Sequence, residues 1–157
     1  MCGICGTVGL ANQDLLKKMC RIMFRRGPDD EGYFIDKNIG LGIRRLSIID
    51  LETGHQPIHN EDRSVWIVYN GEIYNFKELK HNLESKGHRF YTESDTEVIV
   101  HLYEEYGKDC VKYLRGMFAF SIWDEKNQRL MLARDRVGKK PLYYTQIGRG
   151  LLFASEI

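Results

Sequence analysis

The sequence predicts an α+β domain, and three observations carry that prediction. Short apolar strands dominate the chain, and most can pair with a sequence neighbour across a turn. Three amphipathic helices fall between groups of strands rather than alternating with each one, which argues against a run of βαβ units. The 157 residues are 43% hydrophobic and 29% charged, enough apolar material for the core of one soluble domain spanning 1–157.

Taken in order, residues 4–10 open the chain as a strand. Asn12 caps a first helix, with Leu15, Leu16, Met19, Cys20 and Met23 on one face. Residues 33–35 and 39–46 read as strands around a turn at Asp36-Lys37-Asn38. Residues 65–69 form a continuous apolar run, the pattern of a buried strand. Asn75 caps a second helix, whose stripe is Phe76, Leu79 and Leu83 and which Gly87 ends. Ser94 caps a third, with Glu97 completing a capping box. Val98, Ile99, Leu102 and Tyr106 then recur at helical spacing until Gly107. Residues 117–123 and 129–133 form a hairpin across 124–128. Residues 142–145 and 151–154 are a last pair, joined by a turn containing Gly148 and Gly150. No repeat, linker or low-complexity stretch divides the chain.

The totals exclude several classes of function. Lys and Arg number 23 against 22 Asp and Glu, a net charge of +1, so no strong field draws nucleic acid or an anionic membrane. No apolar run approaches the ~20 residues of a membrane span, and the N-terminus lacks a signal peptide's basic and apolar regions. Four cysteines, Cys2, Cys5, Cys20 and Cys110, make no dense disulfide framework, so a reducing cytoplasm is expected.

The N-terminal run Met1-Cys2-Gly3-Ile4-Cys5-Gly6 holds the first candidate chemistry. A small second residue permits removal of Met1, leaving Cys2 with a thiol and a free α-amine. That amine has a reference pKa of ~7.7–8.0 and can take the thiol proton without a histidine. The plain alternative is a buried cysteine in a first strand. The same run is a C-x-x-C, but it opens no helix after a strand, as a redox pair does. His55 and His59 have zinc-like spacing but lie too far along the chain from Cys5 for the usual loop.

Further along, the apolar run enters Asn70-Gly71-Glu72. Asn-Gly is a tight-turn signal. Alternatively, the Asn70 amide and the Gly71 backbone N–H are paired donors for an oxyanion, with Glu72 facing a substrate ammonium. Arg44-Arg45 closes a strand pattern, and an arginine there can bind a carboxylate with two parallel hydrogen bonds. Ser94-Asp95-Thr96-Glu97 is a helix start, where a carboxylate can also hold an ammonium. The loops 26–32 and 134–141 indicate no chemistry alone, and the second matches no P-loop spacing.

Together, MCGICG, RRGPDDEG, RRLSIIDL, GHQPI, YNGEIYN, SDTEVIVHLYEEYG, LRGMFAFSIWD, RDRVGKKPLYY and FASEI resemble the glutaminase domain of class II glutamine amidotransferases. The nearest likeness is to glutamine-hydrolysing asparagine synthetases, and it covers essentially the whole chain. The resemblance implies a four-layer αββα N-terminal-nucleophile hydrolase sandwich, two antiparallel sheets flanked by helices. It implies Cys2 as nucleophile, with Asn70 and Gly71 as oxyanion hole. It implies Arg45 as clamp for the glutamine α-carboxylate. Leu46, Ser47, Ile48 and Ile49 would line the same pocket, the Ile48 backbone above all, and Glu72 and Asp95 would accept the α-ammonium. One departure stands out: many relatives read His-Arg-Gly-Pro-Asp, and here the first position is Arg25.

On this likeness L-glutamine is the substrate, and the ammonia released passes to a C-terminal or separate synthetase domain that makes asparagine from aspartate. No metal or other cofactor is expected in this domain. ATP and Mg belong to the synthetase domain, whose S-G-G-x-D-S phosphate loop the chain lacks. The chain is therefore expected to be a fragment or a separately encoded subunit, and a homodimer is entertained. A sugar or another carboxylate as ammonia acceptor, a degenerate interaction domain and a C-x-x-C redox or zinc module are the rival readings.

Overall fold

The computed structural model describes residues 1–10, 12–46 and 54–157. Among these residues nine strands form two antiparallel sheets. The first sheet has the order β2-β3-β1-β9-β8, built from Asp30–Asp36 (β2), Ile39–Arg45 (β3), Gly3–Val8 (β1), Gly150–Ala154 (β9) and Tyr143–Ile147 (β8). The second has the order β4-β5-β6-β7, from Ile58–His59, Val65–Ile73, Gly116–Asp124 and Arg129–Arg134. Helix α1 is Gln13–Ile22, α2 is Phe76–Ser85 and α3 is Glu97–Tyr106.

The packing gives the four layers that the resemblance implied. Ile4, Ile39, Leu41, Ile43 and Phe153 of the first sheet meet Val68, Ala119 and Trp123 of the second. On the outer face of the first sheet, Cys5 packs with Leu16, Cys20 and Met23 of the α1 segment. On the outer face of the second, Ile67, Tyr69, Phe118, Phe120 and Ile122 bury Leu79 and Leu83 of α2 and Val98, Ile99 and Leu102 of α3. The central strands β1, β5 and β6 thus each serve two cores, because successive side chains point to opposite faces. The close seat of α1 depends on Gly42: a Cβ there would lie 2.7 Å from Cys20 Sγ. No helix among the described residues is long and apolar enough to cross a membrane.

The helix starts divide in an instructive way. Asn12 caps α1 as expected, accepting from the backbone N–H of Asp14 and Leu15. Asn75 precedes α2, but its side chain instead bridges to Tyr113 O and Arg115 N, tying α2 to the approach of β6. The capping box at Ser94 does not form. Helix α3 begins at Glu97, and the Glu97 carboxylate accepts from Tyr91 N, Thr92 N and Thr92 Oγ1, with His101 Nε2 3.4 Å away. Those buried donors outcompete the Ser94 N–H. The two predicted stops hold, with positive φ at Gly87 (101°) and Gly107 (56°).

Most strand bounds shift from expectation by a few residues, and two of the shifts have a clear local cause. Strand β1 ends at Val8 because Gly9 turns to φ 71° and donates to Asn38 O at 2.7 Å. Strand β5 runs on through Asn70-Gly71 to Ile73, pairing Asn70 with Ala119 and Gly71 with Phe118. The Asn-Gly pair is therefore no turn. Gly71 is needed for close approach instead, since a Cβ would sit 2.4 Å from Met117 O.

Candidate functional site

At one end of the sandwich, the start of β1 lies beside the end of β3, with Gly3 opposite Arg44. A cavity of about 260 Å³ opens there. It is lined by Cys2, Arg45, Leu46, Asn70, Gly71, Glu72 and Asp95, together with Met1, Gln56, Tyr69, Ser94, Thr96, Met117 and Lys140. Seven of the sequence-predicted site residues thus converge on one space from four segments far apart in sequence. Ser47, Ile48 and Ile49 lie outside the described residues.

Cys2 is half-buried. The Leu46 backbone N–H donates to its Sγ at 3.4 Å, and Sγ lies 3.7 Å from Leu46 O. Arg26 Nε donates to Cys2 O at 3.0 Å, and Arg26 Nη1 pairs with Glu156 at 3.3 Å, so Arg26 holds the backbone of Cys2 in place. Arg44 in turn secures the loop carrying Arg26 by donating to Gly27 O, Pro28 O and Glu31. The two arginines that end β3 therefore diverge: Arg44 braces a loop, whereas Arg45 is buried and faces the cavity.

Asn70 is 2% exposed, and its Nδ2 has no hydrogen-bond partner among the described residues. A buried amide without a partner is costly, about 1–3 kcal/mol, so a ligand oxygen there recovers energy that folding leaves unspent. Asp95 is 4% exposed and accepts from Tyr69 Oη at 2.7 Å and Ile73 N at 2.8 Å. Burial holds its carboxyl above the usual carboxylate range, with Glu72 adding to the rise against those two hydrogen bonds. An ammonium placed between Glu72 and Asp95 would reverse that rise. Gln56 mimics a strand partner: its Oε1 accepts from Tyr69 N at 2.7 Å, and its Nε2 donates to Tyr69 O at 3.3 Å.

The C-x-x-C is not a pair. Cys5 is fully buried beneath α1, with its Sγ 3.5 Å from Cys20 Sγ, while Cys2 lines the cavity. Cys2, just before β1, and Cys5 on it therefore lie on opposite sides of the first sheet, which separates the two sulfurs. Arg26, Gln56, Tyr69, Ser94, Thr96, Met117 and Lys140 were not singled out by residue chemistry. Arg26, Gln56 and Lys140 reach the site on loops. For Lys140, Asp135 accepts from the backbone N–H of Lys139 and Lys140 and folds the loop 135–140 back on the cavity. Their only signal was the set of matching segments RRGPDDEG, GHQPI and RDRVGKKPLYY.

Comparison with known proteins identifies the family. The sequence profile of the glutamine amidotransferase domain matches residues 1–157. Asparagine synthetase [glutamine-hydrolyzing] 1 of Bacillus subtilis is 48% identical over 98% of this chain and 26% of its own length. The second such B. subtilis enzyme is 51% identical over 100% of the chain and 22% of its own length. The enzyme numbered 2 in Oryza sativa subsp. japonica is 47% identical over 100% and 27%. The chain thus spans under a third of the length of each of these relatives. Glutamine phosphoribosylpyrophosphate amidotransferase from B. subtilis shares the fold, with TM-score 0.78 at 22% identity, covering 98% of this chain and 41% of that one. Profile, relatives and fold agree, and the chain belongs to the glutamine amidotransferase domain family.

Proposed function

We propose that this domain hydrolyses the side-chain amide of L-glutamine, with Cys2 as nucleophile once Met1 is removed. The observation that carries the proposal is the convergence of Cys2, the unpartnered Asn70 amide, buried Arg45 and the Glu72–Asp95 pair on one cavity. At about 260 Å³ it is smaller than the ~300–1,000 Å³ of drug-sized pockets, which suits an amino acid. One cation and two anions match a ligand with one carboxylate and one ammonium.

The α-amine of Cys2 takes the thiol proton, and Sγ adds to the amide carbon. Asn70 Nδ2 and Gly71 N–H stabilise the oxyanion. The protonated α-amine returns its proton to the nitrogen as the C–N bond breaks and ammonia leaves. Water then cleaves the γ-glutamyl thioester, giving glutamate and the free thiol. Arg45 holds the α-carboxylate, and Glu72 and Asp95 hold the α-ammonium.

The ammonia is supplied to a synthetase domain that makes asparagine, by analogy with the relatives' printed activity. ATP and Mg chemistry belongs to that domain. Four cysteines in 157 residues make no dense disulfide framework, which supports a reducing compartment such as the cytoplasm. The test is steady-state turnover of glutamine by Cys2→Ala. Loss of glutamate production with unchanged circular dichroism is expected, and wild-type turnover would overturn the proposal.

A further inference from the structure

We propose that Glu61, His88, His101 and Glu104 form a site for a borderline divalent transition cation such as zinc, remote from the reactive cysteine. The four candidate ligand atoms lie within 4.8 Å of one another. They come from three segments: the β4–β5 connection (Glu61), the chain just after α2 (His88) and one face of α3 (His101 and Glu104, three residues apart). His101 Nδ1 is 2.9 Å from Glu104 Oε2 and 3.7 Å from Glu61 Oε2. His88 Nδ1 is 3.6 Å from Glu104 Oε2 and 3.8 Å from Glu61 Oε1. Metal bonds of ~2.0–2.2 Å give a tetrahedron with edges of roughly 3.3–3.6 Å, and the four histidine–carboxylate spacings, 2.9–3.8 Å, lie around that figure, with Glu61 needing only to turn one oxygen to both histidines.

The surroundings are arranged as a metal's are. Both histidines turn Nδ1 inward, and each Nε2 faces an outer carboxylate. Those outer contacts are Glu97 at 3.4 Å from His101 and Glu105 at 3.2 Å from His88. That is the carboxylate–histidine pattern that fixes tautomer and ring orientation around bound metals. The inner carboxylates are tethered too: Asn60 Nδ2 donates to Glu104 Oε1 and Arg89 N to Glu61 Oε1, both at 2.8 Å. Two neutral imidazoles and two carboxylates neutralise a dication. Imidazole nitrogens favour zinc, cobalt or nickel over magnesium or calcium.

Four protein ligands close the coordination shell, which makes the site structural: the ion clips α3 to the two segments beside it. His101 is fully buried, while Glu61 is 39% exposed on its side chain and leaves an entry route. The rival reading is an ion-pair network alone. Burial lowers the His101 pKa, but Glu104 and Glu97 outweigh it and hold it at about 9, so a proton supplies part of the charge when no cation is bound. The spacing of these residues fits no zinc motif in the sequence, because His88 and Glu61 reach α3 only through the tertiary fold.

The test uses chain stripped of metal by a chelator, titrated with Zn²⁺ against a competing chelator and separately with Co²⁺. One zinc per chain is expected, with a visible cobalt spectrum of N/O type that lacks thiolate charge transfer. Glu61→Gln and His88→Gln should each weaken binding at least about tenfold, with glutamine turnover unchanged. Glu61 is exposed, so its variant decides if His88→Gln misfolds. Failure of the intact chain to bind saturably, binding that survives both substitutions, or a thiolate-type cobalt spectrum would overturn the proposal.

Discussion

Two buried carboxylates two residues apart meet opposite fates. Asp95 faces the cavity, where burial raises its pKa and Glu72 raises it further. Glu97 faces away, into the α3 network; burial pushes it up as well, but hydrogen bonds from His101, Thr92 and Tyr91 overcome that and hold it below its ordinary value. The protein therefore compensates one charge fully and leaves the other short. The difference teaches that a site is marked by what the fold leaves unfinished. The under-stabilised Asp95 and the unpartnered Asn70 amide line the same cavity.

Substitution of acid by amide at each position separates the two regions. Each Glu97 oxygen accepts two hydrogen bonds, so an amide NH2 on either side would confront two donors. Glu97→Gln is expected to cost about 3–5 kcal/mol in denaturant unfolding. Asn70→Ala comes next and removes the proposed oxyanion donor. It should lower kcat by ~10²–10³, roughly 2.7–4 kcal/mol, while the KM for glutamine changes little. A loss well below tenfold would argue against the oxyanion role.

Asp95→Asn should leave stability near wild type at neutral pH, because one oxygen accepts from both Tyr69 and Ile73 and an amide oxygen can replace it. It should raise the KM for glutamine by about 10–100-fold, the worth of one hydrogen bond to a charged partner. The pH dependence follows from the raised Asp95 pKa. In the folded chain Asp95 keeps its proton at pH values where the unfolded chain has lost it. Its contribution to stability is therefore present below the ordinary carboxylate pKa and is lost as pH rises through the folded value. Glutamine binding runs the other way, since the ammonium needs the ionised form. The KM should rise as pH falls through the folded Asp95 pKa, and that rise should vanish in Asp95→Asn. The smallest expected effect is at Cys5→Ala, which should leave turnover unchanged because Cys5 packs beneath α1 rather than at the cavity.

Local patterns told most where the chain does only one thing. The apolar runs located the inner strands, and the glycines at 87 and 107 ended helices because the stops need positive φ. The two-residue strand β4 is too short to leave a periodic signal. Asn70-Gly71 was misleading as a turn signal, because the glycine there answers to the neighbouring strand's Met117 carbonyl. The capping box at Ser94 failed because Glu97 had stronger partners in the fold. For the cavity, the charged residues, the Asn70 amide and the Cys2 thiol were legible by chemistry, but Arg26, Gln56 and Lys140 were not. Each acts through backbone contacts or loop placement that only the assembled tertiary structure creates.

The most direct test of the central claim is intact mass and peptide mapping after incubation with the glutamine-like electrophile diazo-oxo-norleucine. A single adduct on Cys2, in chains that have lost Met1 and are protected by excess glutamine, is the predicted result. An adduct on Cys5, Cys20 or Cys110 instead, or an unmodified Cys2 in chains already lacking Met1, would contradict it.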